Sequence, residues 1–235
     1  MSLVLFDIDG TLLLSGGAGV RSMTRAFEST FGVADAFADM VIAGRTDTYL
    51  LSAAFARAGL PDTVDAHARF HASYLPVLAD EIRQRGRGRY GVLPGIEKLL
   101  AALHERDDVH LALLTGNYQQ AARIKLDHFG LSQFFGWGVF GEESADRNVL
   151  GRLALVRAEA QSVPPAAREN PVVIGDTPDD VACAHAAGAF AIAVATGSYS
   201  VEALQNAGAD VALPDLGDTD VVLETIRTAR RLRVS

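Results

Sequence analysis

The chain has 235 residues, 49% of them apolar and 21% charged, with a net charge of −8. This balance excludes a disordered chain, no apolar stretch approaches the roughly 20 residues that span a bilayer, and the negative charge argues against nucleic acid or anionic lipid as partner. The single cysteine, Cys183, cannot form an internal disulfide, and the apolar N-terminal run is too short and too acidic for a signal peptide, so a cytoplasmic protein is expected.

In chain order, Leu3–Phe6 reads as a buried strand that delivers two carboxylates, Asp7 and Asp9, directly before Gly10. Like charges so placed are costly unless a cation lies between them. From Gly16 to Arg89 the pattern is helical only. Met23, Phe27 and Phe31 mark one apolar face; Leu50, Leu51, Ala54, Phe55 and Ala58 mark a second; Phe70, Tyr74, Leu75 and Leu78 mark a third. Gly32 and Gly59 read as helix stops, Gly16, Gly17 and Gly19 as a hinge, and residues 85–91, RGRGRYG, as the returning linker. Beyond Val92 a helix over Gly95–Arg106, with Pro94 in its first turn, leads to a strand at Val109–Leu114. A weaker strand at Trp137–Phe140 precedes a helix marked by Leu153, Val156 and Ala160. Strands at Pro171–Ile174, Ala189–Val194 and Val211–Leu213 follow, and the helix Asp220–Arg233 ends in arginines that suit its dipole. This alternation predicts an α/β fold, a Rossmann-like parallel sheet with helices on both faces formed by residues 1–15 and 90–235, with an all-helical insertion over 16–89.

Three strand ends carry polar groups that such a sheet would bring to one crevice: FDIDGT with Asp7 and Asp9, LLTGN with Thr115, and VVIGDTPDD with Asp176. Carboxylates meeting there need a cation, and oxygen-only ligands select a hard ion, of which Mg²⁺ is the common one. Plainer roles exist beside these. Asn117 also reads as a helix N-cap, a role that can coexist with the first, and Thr177-Pro178-Asp179-Asp180 as a cap, a first-turn proline and dipole-favoured acids. His67 and His71 have the four-residue spacing of a zinc pair but no third ligand in view, so they are expected to be exposed. Cys183 is expected to be a packed thiol.

In this order the motifs resemble those of the haloacid dehalogenase superfamily. Phe6-Asp7-Ile8-Asp9-Gly10-Thr11 matches its first motif, Leu114-Thr115-Gly116-Asn117 its second, and Gly175-Asp176-Thr177-Pro178-Asp179-Asp180 its fourth. The layout, with a helical cap after the first motif, looks most like phosphoglycolate-phosphatase-type members. The resemblance implies a phosphatase in which Asp7 attacks phosphorus, Asp9 serves as general acid and then base, and Thr115 and backbone N–H groups of the following turn, at Gly116 and Asn117, hold the phosphoryl oxygens. It implies Mg²⁺ held by Asp7, the Asp9 main-chain carbonyl and Asp176, with Asp180 as supporting acid. Asp9 favours phosphate over halide chemistry, because halide leaves without a proton. The insertion contains no lysine, which argues against phosphonate cleavage.

One departure stands out: the superfamily's third motif supplies a lysine, and no lysine follows Lys125. Arg147, Arg152 and Lys125 are the candidate cations, and Arg147 is the one expected to replace that lysine, since it stands just after a weak strand and just before a helix. Arg45, in AGRTD between two insertion helices, is the candidate for a substrate carboxylate. The expected partner is a small phosphorylated metabolite bound by a monomer or homodimer. A sugar phosphomutase of the same fold, or a catalytically weakened binding protein, are the rival expectations.

Overall fold

A computed structural model describes residues 1–86 and 88–232, with side chains up to Ala229. Six parallel strands form the central sheet: β1 (Ser2–Phe6), β4 (Val109–Leu114), β5 (Gly138–Val139), β6 (Pro171–Gly175), β7 (Phe190–Val194) and β8 (Val211–Leu213). Their order is β5-β4-β1-β6-β7-β8. β1 therefore lies where the chain's path across the sheet changes direction, and the crevice opens at its C-terminal end.

The twofold alternation along each strand sorts the core into two layers. Val4, Phe6, Leu113, Val172 and Ile192 pack on one face with α4 (Ile96–His104), α5 (Gln119–His128) and α10 (Thr219–Leu232). Leu3, Leu5, Ala112, Val173 and Ala191 pack on the other with α6 (Arg147–Ala160), α8 (Pro178–Ala186) and α9 (Val201–Asn206). Each strand is sandwiched, which is why it reads as a continuous apolar run rather than an alternating one. The short α7 (Pro165–Arg168) leads into β6.

Two short strands absent from the sequence reading, β2 (Leu13–Ser15) and β3 (Tyr90–Val92), form an antiparallel ribbon. Three residues per strand, Leu-Leu-Ser and Tyr-Gly-Val, are too few for a periodic signal. Between them stand α1 (Ala18–Phe31), α2 (Asp47–Ala58) and α3 (Val64–Glu81), and among the described residues of this stretch there is no strand. Phe27, Phe55, Phe70 and Leu78 form their shared core, which continues onto Tyr118 and Ala121 at the start of α5. Gly32 and Gly59 cap α1 and α2 in the left-handed conformation, as their positions imply. Pro94 falls outside the first turn of α4, which is capped by Gly95 instead. Arg87 of the linker and the side chains of the arginines that end α10 lie outside the described residues. Among the described residues no helix is long and apolar enough to cross a membrane.

Candidate active site

The register of the sheet explains why three motifs meet. Phe6 pairs with Leu113 on one side and Ile174 on the other. Asp7, Thr115 and Asp176, one or two residues further along, therefore leave the sheet side by side. The turn after β1 passes tightly over Asp176. Gly10 has φ +85°, and a Cβ there would stand 2.3 Å from Asp176 Oδ2, so only glycine fits. The Thr11 hydroxyl donates to Asp176 Oδ1 at 3.4 Å.

Asp7, Asp176 and Asp180 are all buried, and one oxygen from each lies within 4.8 Å of the others. Burial raises Asp7 to about 6, with Arg147 opposing and the charges of Asp180 and Asp9 adding to the rise. Burial, with Asp180 and Asp7 beside it, pushes Asp176 up to about 9. Three buried acids in this space are not stable as three naked anions.

Arg147, the first residue of α6, answers part of that charge. Its Nη2 is 2.8 Å from Asp7 Oδ1 and 2.5 Å from Asp180 Oδ1, and its Nη1 donates to the Gly44 carbonyl at 3.2 Å. Asp146 caps the helix through the Asn148 N–H and so fixes where Arg147 begins. Asp180 caps α8, as its position in the motif implies, and also faces Arg147. Its Oδ2 accepts from the N–H and the hydroxyl of Thr177 in a capping box, while Oδ1 takes the guanidinium.

The side chain of Asp9 turns away from this cluster. Its Oδ2 accepts from Lys125 Nζ at 2.5 Å and from Asn117 Nδ2 at 2.8 Å. Lys125 also donates to Asn117 Oδ1 at 2.6 Å, and Asn117 Nδ2 reaches Thr115 Oγ1 at 2.9 Å. Lys125, one of the three candidate cations, thus stands against Asp9, while Arg147 stands against Asp7. Asn117 is not the cap of α5, a place taken by Tyr118.

The helical stretch between β2 and β3 also meets the turn after β4. The Asp47 N–H donates to the Gly116 carbonyl at 2.7 Å, and the Asp47 carboxylate accepts from the Tyr118 N–H at 2.9 Å. A Cβ on Gly116 would lie 2.3 Å from the Arg45 carbonyl oxygen, so glycine permits this approach. The Asn117 N–H donates to Thr115 Oγ1 at 3.3 Å, and the Tyr118 and Gln119 N–H groups are bound to Asp47 and Glu142, which leaves the Gly116 N–H as the donor of this turn without an acceptor among the described residues. Asp47 was missed because an acid at the start of a helix is ordinary dipole chemistry.

Arg45 lines the cavity of about 470 Å³ above these groups, together with Asp7, Asp9, Asn117, Lys125 and Arg147. It is half-exposed, 3.4 Å from Asp179 and over the ring of Tyr49. The histidines are half-buried rather than exposed. His67 bonds Asp62 at 2.6 Å and His71 packs on Tyr118. Cys183 is buried, its thiol donating to the Arg147 carbonyl.

Residues 4–185 match the haloacid dehalogenase-like hydrolase family. The chain belongs to that family. It is 32% identical over 228 residues to a phosphoglycolate phosphatase of Rhodospirillum rubrum, spanning 92% of this chain and 89% of that protein. Among solved structures it resembles a β-phosphoglucomutase from Clostridium difficile, with TM-score 0.71, 16% identity and coverage of 99% and 98% of the two chains. It also resembles a hydrolase from Pseudomonas syringae, with TM-score 0.67, 21% identity and coverage of 96% and 98%. At those identities the two structures speak for the fold alone. In this haloacid dehalogenase-like hydrolase the cation against Asp7 is an arginine, and the chain's last lysine lies against Asp9.

Proposed function

We propose that the protein is a Mg²⁺-dependent phosphatase of a small phosphorylated metabolite, working through an aspartyl-phosphate on Asp7, with residues 16–89 as its cap. The observation that carries this reading is the buried Asp7–Arg147 pair beside Asp176 at the mouth of β1. Arg147 offsets the charge of Asp7, so a phosphate dianion meets a nucleophile whose repulsion is partly cancelled. An Asp7 oxygen attacks phosphorus, the ester P–O bond breaks, and its electron pair leaves on the alcohol oxygen, which takes a proton from Asp9. Water then attacks the same phosphorus, gives its proton to Asp9, and the bond to Asp7 breaks to release inorganic phosphate. The Thr115 hydroxyl and the Gly116 N–H are the donors available to the phosphoryl oxygens.

The donor set fits a hard divalent cation: oxygen atoms only, from acids whose burial, with the charges of Asp180 and Asp7 adding to it, leaves Asp176 holding a proton at neutral pH. Asp7, Asp176 and the Asp9 main-chain carbonyl would hold Mg²⁺, with Asp180 orienting Arg147 beside it. When bound, the ion supplies further charge neutralisation for the approach of phosphate.

The leaving group we favour is a short carboxylated alcohol of the phosphoglycolate type. The 32% identity to a phosphoglycolate phosphatase and Arg45 on the cavity wall support it. The single cysteine and the negative charge agree with a cytoplasmic protein, as monomer or homodimer. With Arg147 against Asp7, the lack of a late lysine gives little support to a silent binding protein.

A panel of phosphomonoesters assayed with purified protein and Mg²⁺ tests the reading. Phosphate release is expected, lost on adding EDTA and in Asp7→Asn, with Arg45→Ala raising KM for 2-phosphoglycolate while kcat stays near the parent value. Stabilisation by the esters without phosphate release would instead mark a binding protein.

A further inference from the structure

We propose that Lys125 is a positioning residue for Asp9, holding the acid–base carboxylate at the leaving-group side of the cavity. The inference rests on the phosphatase reading above and adds a residue to it. Lys125 is only 4% exposed, on the face of α5 that also carries the buried Ala121 and Ala122. A buried ammonium is costly, and this one is compensated by two short hydrogen bonds, to Asp9 Oδ2 and Asn117 Oδ1. Asn117 closes the ring by donating to the same Asp9 oxygen. Asp9 Oδ2 is thus held by two donors, Lys125 on α5 and Asn117 on the turn that leads into it.

The arrangement divides the two cations of the site by task. Arg147 faces the nucleophile and Lys125 faces the acid–base, and Lys125 has no bond to Asp7, Asp176 or Asp180 among the described residues. Loss of Lys125 should therefore damage proton transfer to the leaving group and spare attack on phosphorus. The two are separable, because an alkoxide needs a proton to leave and p-nitrophenolate does not.

The test uses the full-length protein with Mg²⁺, comparing single-turnover rates on 2-phosphoglycolate or glycerol 3-phosphate with the p-nitrophenol burst from p-nitrophenyl phosphate. Asp9→Asn serves as the reference for lost proton transfer. Lys125→Met is expected to slow the alkyl ester about 100-fold, the low end of general-acid effects, while the burst rate and both KM values change less than about threefold. Lys125→Arg should recover at least about tenfold of the loss, since it keeps the charge. If Lys125→Met does not fold, Asp9→Asn/Lys125→Met removes the buried ammonium and its half-exposed carboxylate partner together. It is expected to match Asp9→Asn on both substrates, because the part Lys125 plays in the reaction runs through Asp9. Equal losses on the two substrates, no loss on either, or a double variant slower than Asp9→Asn would overturn the role of Lys125 and leave the phosphatase reading intact. A parent protein that cleaves neither ester would overturn that reading and this one with it.

Discussion

Arg147 Nη2 stands 2.8 Å from Asp7 Oδ1, and both side chains are more than nine-tenths buried. The pair makes Arg147 the residue whose loss should harm both rate and stability. Arg147→Met leaves Asp7 and Asp180 facing each other without a cation, which costs about 3–5 kcal/mol in comparable buried pairs. A fall in kcat of about 10²- to 10³-fold is expected for losing one preorganised charge at the reacting centre, with Arg147→Lys retaining more activity. Urea unfolding and steady-state phosphate release measure the two effects. A kcat unchanged in Arg147→Met would show that the pair is structural only.

The layered α/β architecture was legible because each buried strand is a short apolar run and each helix an amphipathic one. The six parallel strands fall within a residue or two of their expected places. The small ribbon was not legible, since three residues give no period. The site divides in the same manner. Asp7, Thr115 and Asp176 announce themselves as polar residues at apolar strand ends, and Arg147 as a cation at a helix start. Lys125 carried a usable signal: it shares a helical face with Ala121 and Ala122, where a solvated lysine has no place. Which acid it would meet depends on how α5 packs, a long-range fact that spacing does not contain. Asp47 gave no signal, because its contact with the Gly116 turn joins segments about seventy residues apart.

Asp47 predicts a pH dependence of stability. Burial raises its carboxyl to about 6, while Lys125 and the Tyr118 N–H pull it down and Asp9 and Glu142 add to the rise. Between about pH 4 and 6 the folded chain retains a proton that the unfolded chain has released. Asp47 therefore removes stability as pH rises through that window, and its penalty is complete above about pH 6, on the order of 3 kcal/mol. Asp47→Asn should gain stability relative to the parent as pH is raised from 4.5 to 7 in denaturant titrations. A difference between the two proteins that stays flat with pH would contradict the assignment.

Asp176 predicts how the metal arrives. Held up to about 9 by burial and by Asp180 and Asp7, it keeps a proton at pH 7 that a bound divalent ion must displace. Mg²⁺ binding at pH 7 should release about one proton and tighten as pH rises toward 9. Calorimetry in two buffers of different ionisation enthalpy counts the protons directly. Binding heats that are independent of buffer would refute this, as would an Asp176→Asn protein that binds Mg²⁺ as tightly as the parent.

The central claim is that Asp7 becomes phosphorylated, and the most direct measurement is the mass of the protein quenched in acid during turnover of a phosphomonoester with Mg²⁺. With p-nitrophenyl phosphate as donor, whose leaving group needs no proton from Asp9, Asp9→Asn should accumulate a single phosphoryl group that peptide mapping locates on Asp7, because loss of the base slows its hydrolysis, and Asp7→Asn should gain none. A protein that releases phosphate steadily while Asp7 never carries the added group would contradict the account.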